Sequence, residues 1–170
     1  HALLDEASAH GLVGDAVVAA SLAQARELWQ LRESIPLAQA REGLNIKHDI
    51  ALPVSAIPGF LAEVEPRLRA EVPDLRVVVY GHLGDGNLHL NVWAPALRPD
   101  DAGRVAAIVY GALRVTPGSI SAEHGIGLEK KAYLSLSRTP AEIETMRLLK
   151  RALDPHNILN RGKVFDLVVE

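Results

Sequence analysis

The chain has 170 residues, 48% of them hydrophobic and 23% charged, close to the globular average of about 45–50% and about 25%, which argues against disorder, collagen and coiled coil. Lys and Arg number 18 against 21 Asp and Glu, and the resulting net charge of −3 offers no broad electropositive surface to a nucleic acid. No stretch approaches 18 uninterrupted apolar residues and the opening HALLDEASAHG carries acids where a secretory leader needs bases, so the expected compartment is the cytoplasm.

In chain order, apolar residues at Leu22, Ala25, Leu28, Trp29 and Leu31 predict an amphipathic helix over 22–41, interrupted at Pro36. Alternation over 44–52 predicts a half-buried strand ending at Pro53, with Asn45, Lys47 and Asp49 on its polar face. A helix starts near Ser55 and runs through Phe60, Leu61, Val64 and Leu68 to the Pro73-Asp74 break. Two strands, 75–83 and 88–93, flank Gly84-Asp85-Gly86-Asn87, and Asp-Gly between strands is a strong hairpin signal. A further helix opens at Pro99 and closes at Pro117-Gly118, followed by a loop rich in Gly and Ser. Thr139-Pro140-Ala141-Glu142 forms a capping box with a first-turn proline, so a helix over 140–153 is predicted. The remaining tail, Asn157 to Val169, reads as a docked extended segment, and the whole is read as one domain.

The chain has no cysteine, so any metal must sit on His, Asp or Glu. If Asp85-Gly86 is a two-residue loop, His82 faces His89 and Tyr80 faces Asn91, placing four polar side chains on one face. Val79, Leu83, Leu88 and Leu90 then form the core face. Two opposed imidazoles can grip one cation; an exposed polar face beside a tight turn is the plainer alternative. Glu123-His124 precedes two glycines, Gly125 and Gly127, that permit unusual torsions or close backbone approach. One of the pair can ligate a metal while the other faces substrate, or both are simply solvated. His82, His89 and Glu123 together make a two-His, one-carboxylate set of the kind used by Zn²⁺, Fe²⁺ or Mn²⁺ enzymes. Arg32 and Lys47 are candidate anion contacts, with an exposed helix Arg and a solvated strand Lys as the plainer and favoured readings.

Three segments carry a family resemblance: Tyr80 to Asn91 (YGHLGDGNLHLN), Ser119 to Lys130 (SISAEHGIGLEK) and Leu153 to Phe165 (LDPHNILNRGKVF). In this order they resemble the C-terminal domain of FAD-linked oxidases, the family of D-lactate dehydrogenases, D-2-hydroxyglutarate dehydrogenases and the glycolate oxidase D subunit. The resemblance implies an α+β fold, a ferredoxin-like antiparallel sheet with helices packed on it plus a C-terminal helix and tail, capping a separate FAD-binding domain. That domain is expected N-terminal to His1, and the His1 start is what a fragment or processed product would show.

The same resemblance implies that His82, His89 and Glu123 hold a divalent metal, Zn²⁺ first with Mn²⁺ or Fe²⁺ as alternatives, and that His124 is the base. It implies substrate contacts at Arg32, Lys47 and Asn91 and approach of Asn160 to the flavin. Pro36 departs from the hydroxyl residue of some hydroxyglutarate-type members, and D-lactate, glycolate and D-2-hydroxyglutarate all stay open as substrates. The implied activity is oxidation of a D-2-hydroxy acid to the 2-oxo acid, with electrons leaving to an acceptor protein or a quinone. The isolated chain is expected to be inactive, and a homodimer is an admitted state. A metal-dependent hydrolase and a non-enzymatic, metal-stabilised binding module are the competing readings.

Overall fold

The computed structural model describes residues 2–167. The chain divides into two compact units, His1–Glu42 and Gly43–Glu170. The first is helical: α1 spans Ala2–Ala9, α2 Leu22–Glu33 and α3 Ile35–Glu42. Ser21 caps α2 by accepting from the Gln24 N–H at 3.2 Å. The interruption expected at Pro36 falls at Ser34, because Pro36, second in α3, has no N–H to return to the Arg32 carbonyl. The N-terminal α1 was not among the expected elements.

The second unit runs β1 (Ile46–Ala51), α4 (Ile57–Glu71), β2 (Arg76–His82), β3 (Asn87–Trp93), α5 (Ala102–Ala112) and α6 (Pro140–Leu153). Its three strands form an antiparallel sheet in the order β1-β3-β2. Ile50, Leu88, Leu90 and Val92 meet Phe60, Val64 and Leu68 of α4 and Val105 and Val109 of α5 in one core. This is an α+β fold. The β-α-β-β-α order is that of a ferredoxin-like unit, and an isolated antiparallel bridge between Ala51 and Ser119 stands where a fourth strand would pair beside β1. Period-two alternation leaves the opposite face to Lys47, Asp49, Tyr80, His82, His89 and Asn91.

The hairpin differs from expectation in its register. Leu83–Asp85 forms a 3₁₀ turn closed by Gly86 at φ +74°, so the connection holds four residues and His82 pairs with Asn87. A two-residue type I′ turn needs positive φ at both central positions. Only Gly86 supplies it, while Asp85 Oδ1 accepts from the Asn87 N–H at 3.0 Å. A register slide of two residues keeps the side chains that remain in the strands on their expected faces. It changes the partners: Tyr80, rather than His82, lies opposite His89, and Leu83 sits exposed in the turn instead of the core.

The capping box of α6 forms as expected, with Glu142 Oε2 accepting from Thr139 N at 2.7 Å and Thr139 Oγ1 accepting from Glu142 N at 3.3 Å. The described part of the tail is turned, not extended: Asn157, Asn160, Gly162 and Val164 all have positive φ. Val164 N donates to Gly127 O at 2.8 Å and Lys131 Nζ to Gly162 O at 2.8 Å, which clips the tail beside the Glu123-His124 loop. The expected end of that segment at Val169 lies outside the described residues.

Candidate metal and catalytic site

The polar sheet face is built around Asp49. In β1 it stands directly opposite His89 of β3 and is only 2% exposed. After α5 the chain returns along the free edge of β1, where Ala51 and Ser119 exchange backbone hydrogen bonds of 3.0 and 2.8 Å and Ala122 N reaches Asp49 O at 3.3 Å. This path lays residues 123–124 over Asp49. Its Oδ2 accepts from the N–H of Glu123 at 3.1 Å and of His124 at 2.9 Å. Lys130, itself buried, donates from Nζ to Asp49 O at 3.1 Å, Ser121 Oγ at 3.0 Å and Asp49 Oδ2 at 3.4 Å. Burial alone would raise the Asp49 pKa, but the two N–H donors and Lys130 outweigh it and hold the carboxyl below its usual range.

Asp49, His89, Glu123 and His124 each offer one ligand atom, and these four atoms lie within 4.8 Å of one another. His89 Nε2 lies 3.2 Å from Glu123 Oε1, and His89 Nδ1 lies 3.8 Å from Asp49 Oδ1. His124 Nδ1 is 3.8 Å from Asp49 Oδ2 and its Nε2 is 4.0 Å from Glu123 Oε1. The rings follow one another, Tyr80 tilted against His89 at 5.0 Å and His89 stacked on His124 at 5.7 Å between centroids. The His89 side chain is 13% exposed, whereas Glu123 at 49% and His124 at 64% open to solvent. Asp49 Oδ1 is buried and has no hydrogen-bond partner. Two imidazoles and two carboxylates around such an atom fit a divalent cation that prefers nitrogen and oxygen ligands.

Of the residues singled out in the sequence, His89, Glu123 and His124 are brought together. His82 shares their sheet face at the end of β2, one pair beyond Tyr80, and stands outside the four-residue group. Lys47 lies directly opposite Asn91, exposed beside a buried amide. Asn160 accepts from Lys163 at 3.1 Å and borders a cavity of about 220 Å³ with Asn157, Lys163 and Phe165. Arg32 belongs to the first unit, where it pairs with Glu33 at 3.4 Å.

Asp49 and Lys130 were missed as site residues. The alternation of β1 placed Asp49 on a polar face with Lys47, and the loop that buries it comes more than 70 positions later.

The FAD linked oxidases, C-terminal domain, family model matches residues 1–164. The chain belongs to this family. The family domain is similar to the D-2-hydroxyglutarate dehydrogenase of Xanthomonas citri pv. viticola, 47% identical over 165 residues, covering 92% of this chain and 34% of the relative. It is 41% identical over 160 residues to the D-2-hydroxyglutarate dehydrogenase of Stutzerimonas stutzeri, covering 91% of this chain and 34% of the relative. With the mitochondrial D-2-hydroxyglutarate dehydrogenase of Rattus norvegicus it shares 40% identity over 161 residues, 95% of this chain and 30% of the relative. The family domain thus spans about a third of the length of these relatives. Among its described residues no helix is long and apolar enough to cross a membrane.

Proposed function

We propose that this chain is the substrate-binding and catalytic domain of an FAD-dependent oxidoreductase that converts a D-2-hydroxy acid, D-2-hydroxyglutarate first, to its 2-oxo acid. The observation that carries the reading is the contact of His89 Nε2 with Glu123 Oε1 at 3.2 Å, with His124 stacked beside it on the sheet face that also bears Lys47 and Asn91. The names of the three relatives favour the five-carbon diacid.

In this reading His89 and Glu123, joined by His82 from the neighbouring strand, hold a divalent cation. Bound there, such an ion lowers the pKa of a coordinated hydroxyl and neutralises a neighbouring carboxylate. His124, exposed and held by its backbone N–H, takes the proton of the 2-hydroxyl; imidazole is the side chain whose proton exchange falls nearest neutral pH. Lys47 and Arg32 receive carboxylate charge, and Asn91 hydrogen-bonds the substrate from its buried position. Flavin, when bound by the longer protein, supplies the acceptor for the C2 hydride, with Asn160 at its edge.

The test uses the full-length protein. About one equivalent of divalent metal and stoichiometric FAD are expected, with the metal lost in His89→Ala and the flavin retained. A protein without flavin would favour a metal-dependent hydrolase, and full metal in His89→Ala would remove His89 from the site.

A further inference from the structure

The helix α6 is turned inside out. On the surface of a folded domain a helix turns its apolar stripe to the core and its charges to water. Here Arg147 and Lys150 lie on the covered side with Ile143 and Met146, their side chains 27% and 21% exposed, and both are spent inside the chain. Arg147 Nε donates to Asp166 O at 3.0 Å, and Lys150 Nζ donates to the Asp154 carboxylate and to Leu159 O. The opposite side carries Ala141, Thr145, Leu148, Leu149, Ala152 and Leu153, one uncharged stripe at three- and four-residue spacing. Leu149 is 57% and Leu153 82% exposed, and no residue of α6 is buried.

The stripe continues past the helix. Asp154 accepts from Ile158 N at 2.9 Å and Leu159 N at 2.8 Å, which folds the next turn back on the end of α6 with Ile158 and Leu159 both exposed. Scattered exposed leucines need no explanation, but these five Leu and Ile side chains fall within residues 148–159 on one helix end and the turn tied to it. A contiguous apolar patch of this kind marks an interface.

We propose that the outer face of α6, continued by Ile158 and Leu159, is the surface on which the flavin-carrying part of the longer protein seats. The family is the C-terminal domain of FAD linked oxidases, and this chain covers 34% of each of the first two relatives, so most of such a protein lies outside it and packs on it through a surface of its own. Charge favours that occupant over a second copy. Arg161 and Lys163, both exposed, follow the same turn. Pairing the face with itself across a two-fold axis sets these cations against their own copies, whereas a different domain can answer them with acids. The identity of the occupant rests on the FAD reading above; that the face is covered does not.

The test uses the full-length protein carrying a photo-crosslinking side chain, as Leu153→p-benzoylphenylalanine and, separately, Leu148→p-benzoylphenylalanine. Both positions are exposed in this domain, and the second decides the matter if the first variant fails to fold. After irradiation the protein is separated under denaturing conditions and its cross-linked peptides are identified by mass spectrometry. The expected product keeps the mass of one chain and joins position 153 or 148 to a peptide outside these 170 residues. A product of twice that mass identifies a second copy, and a cross-link to residues 1–42 assigns the face to this chain's own first unit; either result overturns the proposal. So does the absence of any cross-linked peptide from both positions. Flavin absorbance is read on the same sample: a protein without FAD that still gives the expected cross-link overturns the FAD reading and leaves the docking face standing.

Discussion

Lys47 of β1 and Asn91 of β3 are directly opposed partners in the sheet, one exposed and one buried, on the face shared with Asp49 and His89. Opposed residues have Cβ atoms about 4.5–5.5 Å apart, so the two side chains stand side by side, and in the function proposed above they receive one substrate carboxylate. For the full-length protein, Lys47→Ala or Arg32→Ala is expected to raise KM for a D-2-hydroxy diacid by the worth of a charge-assisted hydrogen bond, about 1.5–3 kcal/mol or roughly 10–150-fold. A monocarboxylate should be less affected. Higher kcat/KM for D-lactate, unchanged in Lys47→Ala, would reject the diacid preference and leave the metal-assisted chemistry standing.

Lys130 is the buried counter-charge of Asp49, 3.4 Å from Oδ2. Lys130→Met keeps most of the side-chain volume but leaves the carboxylate to its two backbone donors. Breaking a buried pair in this way costs about 3 kcal/mol, which should appear as a lowered denaturation midpoint together with faster hydrogen exchange at the Glu123 and His124 amides. An unchanged midpoint would show that the two N–H donors suffice.

His48, next to Asp49 but on the core face, packs edge-on against Tyr110 at 5.2 Å and is 3% exposed. Burial pulls its pKa down to about 4, with the Leu90 carbonyl opposing and Lys130 assisting. Because the folded pKa lies below the unfolded value of about 6.5, the unfolded chain takes the proton first as pH falls. Stability is therefore full above about pH 6.5 and declines toward about pH 4, by about 3 kcal/mol over the whole window. His48→Asn should flatten this part of a pH series of urea denaturations; an identical slope in the variant would assign the acid sensitivity elsewhere.

Gly86 closes the β2–β3 turn at φ +74°, and a Cβ there would lie 2.0 Å from Leu52 O, the residue whose N–H bonds the Gly86 carbonyl at 3.0 Å. Gly86→Ala must meet both the left-handed backbone and a backbone clash, at about 2–4 kcal/mol. Thermal unfolding should show the loss, whereas Gly84→Ala, with open space around its Cβ, should unfold near the wild-type temperature.

Period and punctuation in the sequence were enough to place β1, the hairpin strands, α4, α5 and α6. Core spacing in these elements and the Thr139–Glu142 cap are local, and local interactions survive any tertiary arrangement. The face carried by each strand residue was legible for the same reason, since alternation is a property of the extended backbone. The motifs also carried the family, because His89, Glu123 and His124 stand in short segments that can be read without knowing where they fold.

Register and assembly were decided only in three dimensions. Asp85 turned out to hydrogen-bond the Asn87 N–H through its side chain instead of adopting positive φ, and that choice moved the partner of His89 from His82 to Tyr80. Asp49 read as one more polar residue on the face of Lys47, because the Glu123 and His124 amides and the Lys130 ammonium that bury it come from a distant return of the chain. An acid's role depends on which donors enclose it, and those donors are fixed by the path of the loop over the edge of β1, which no local pattern specifies.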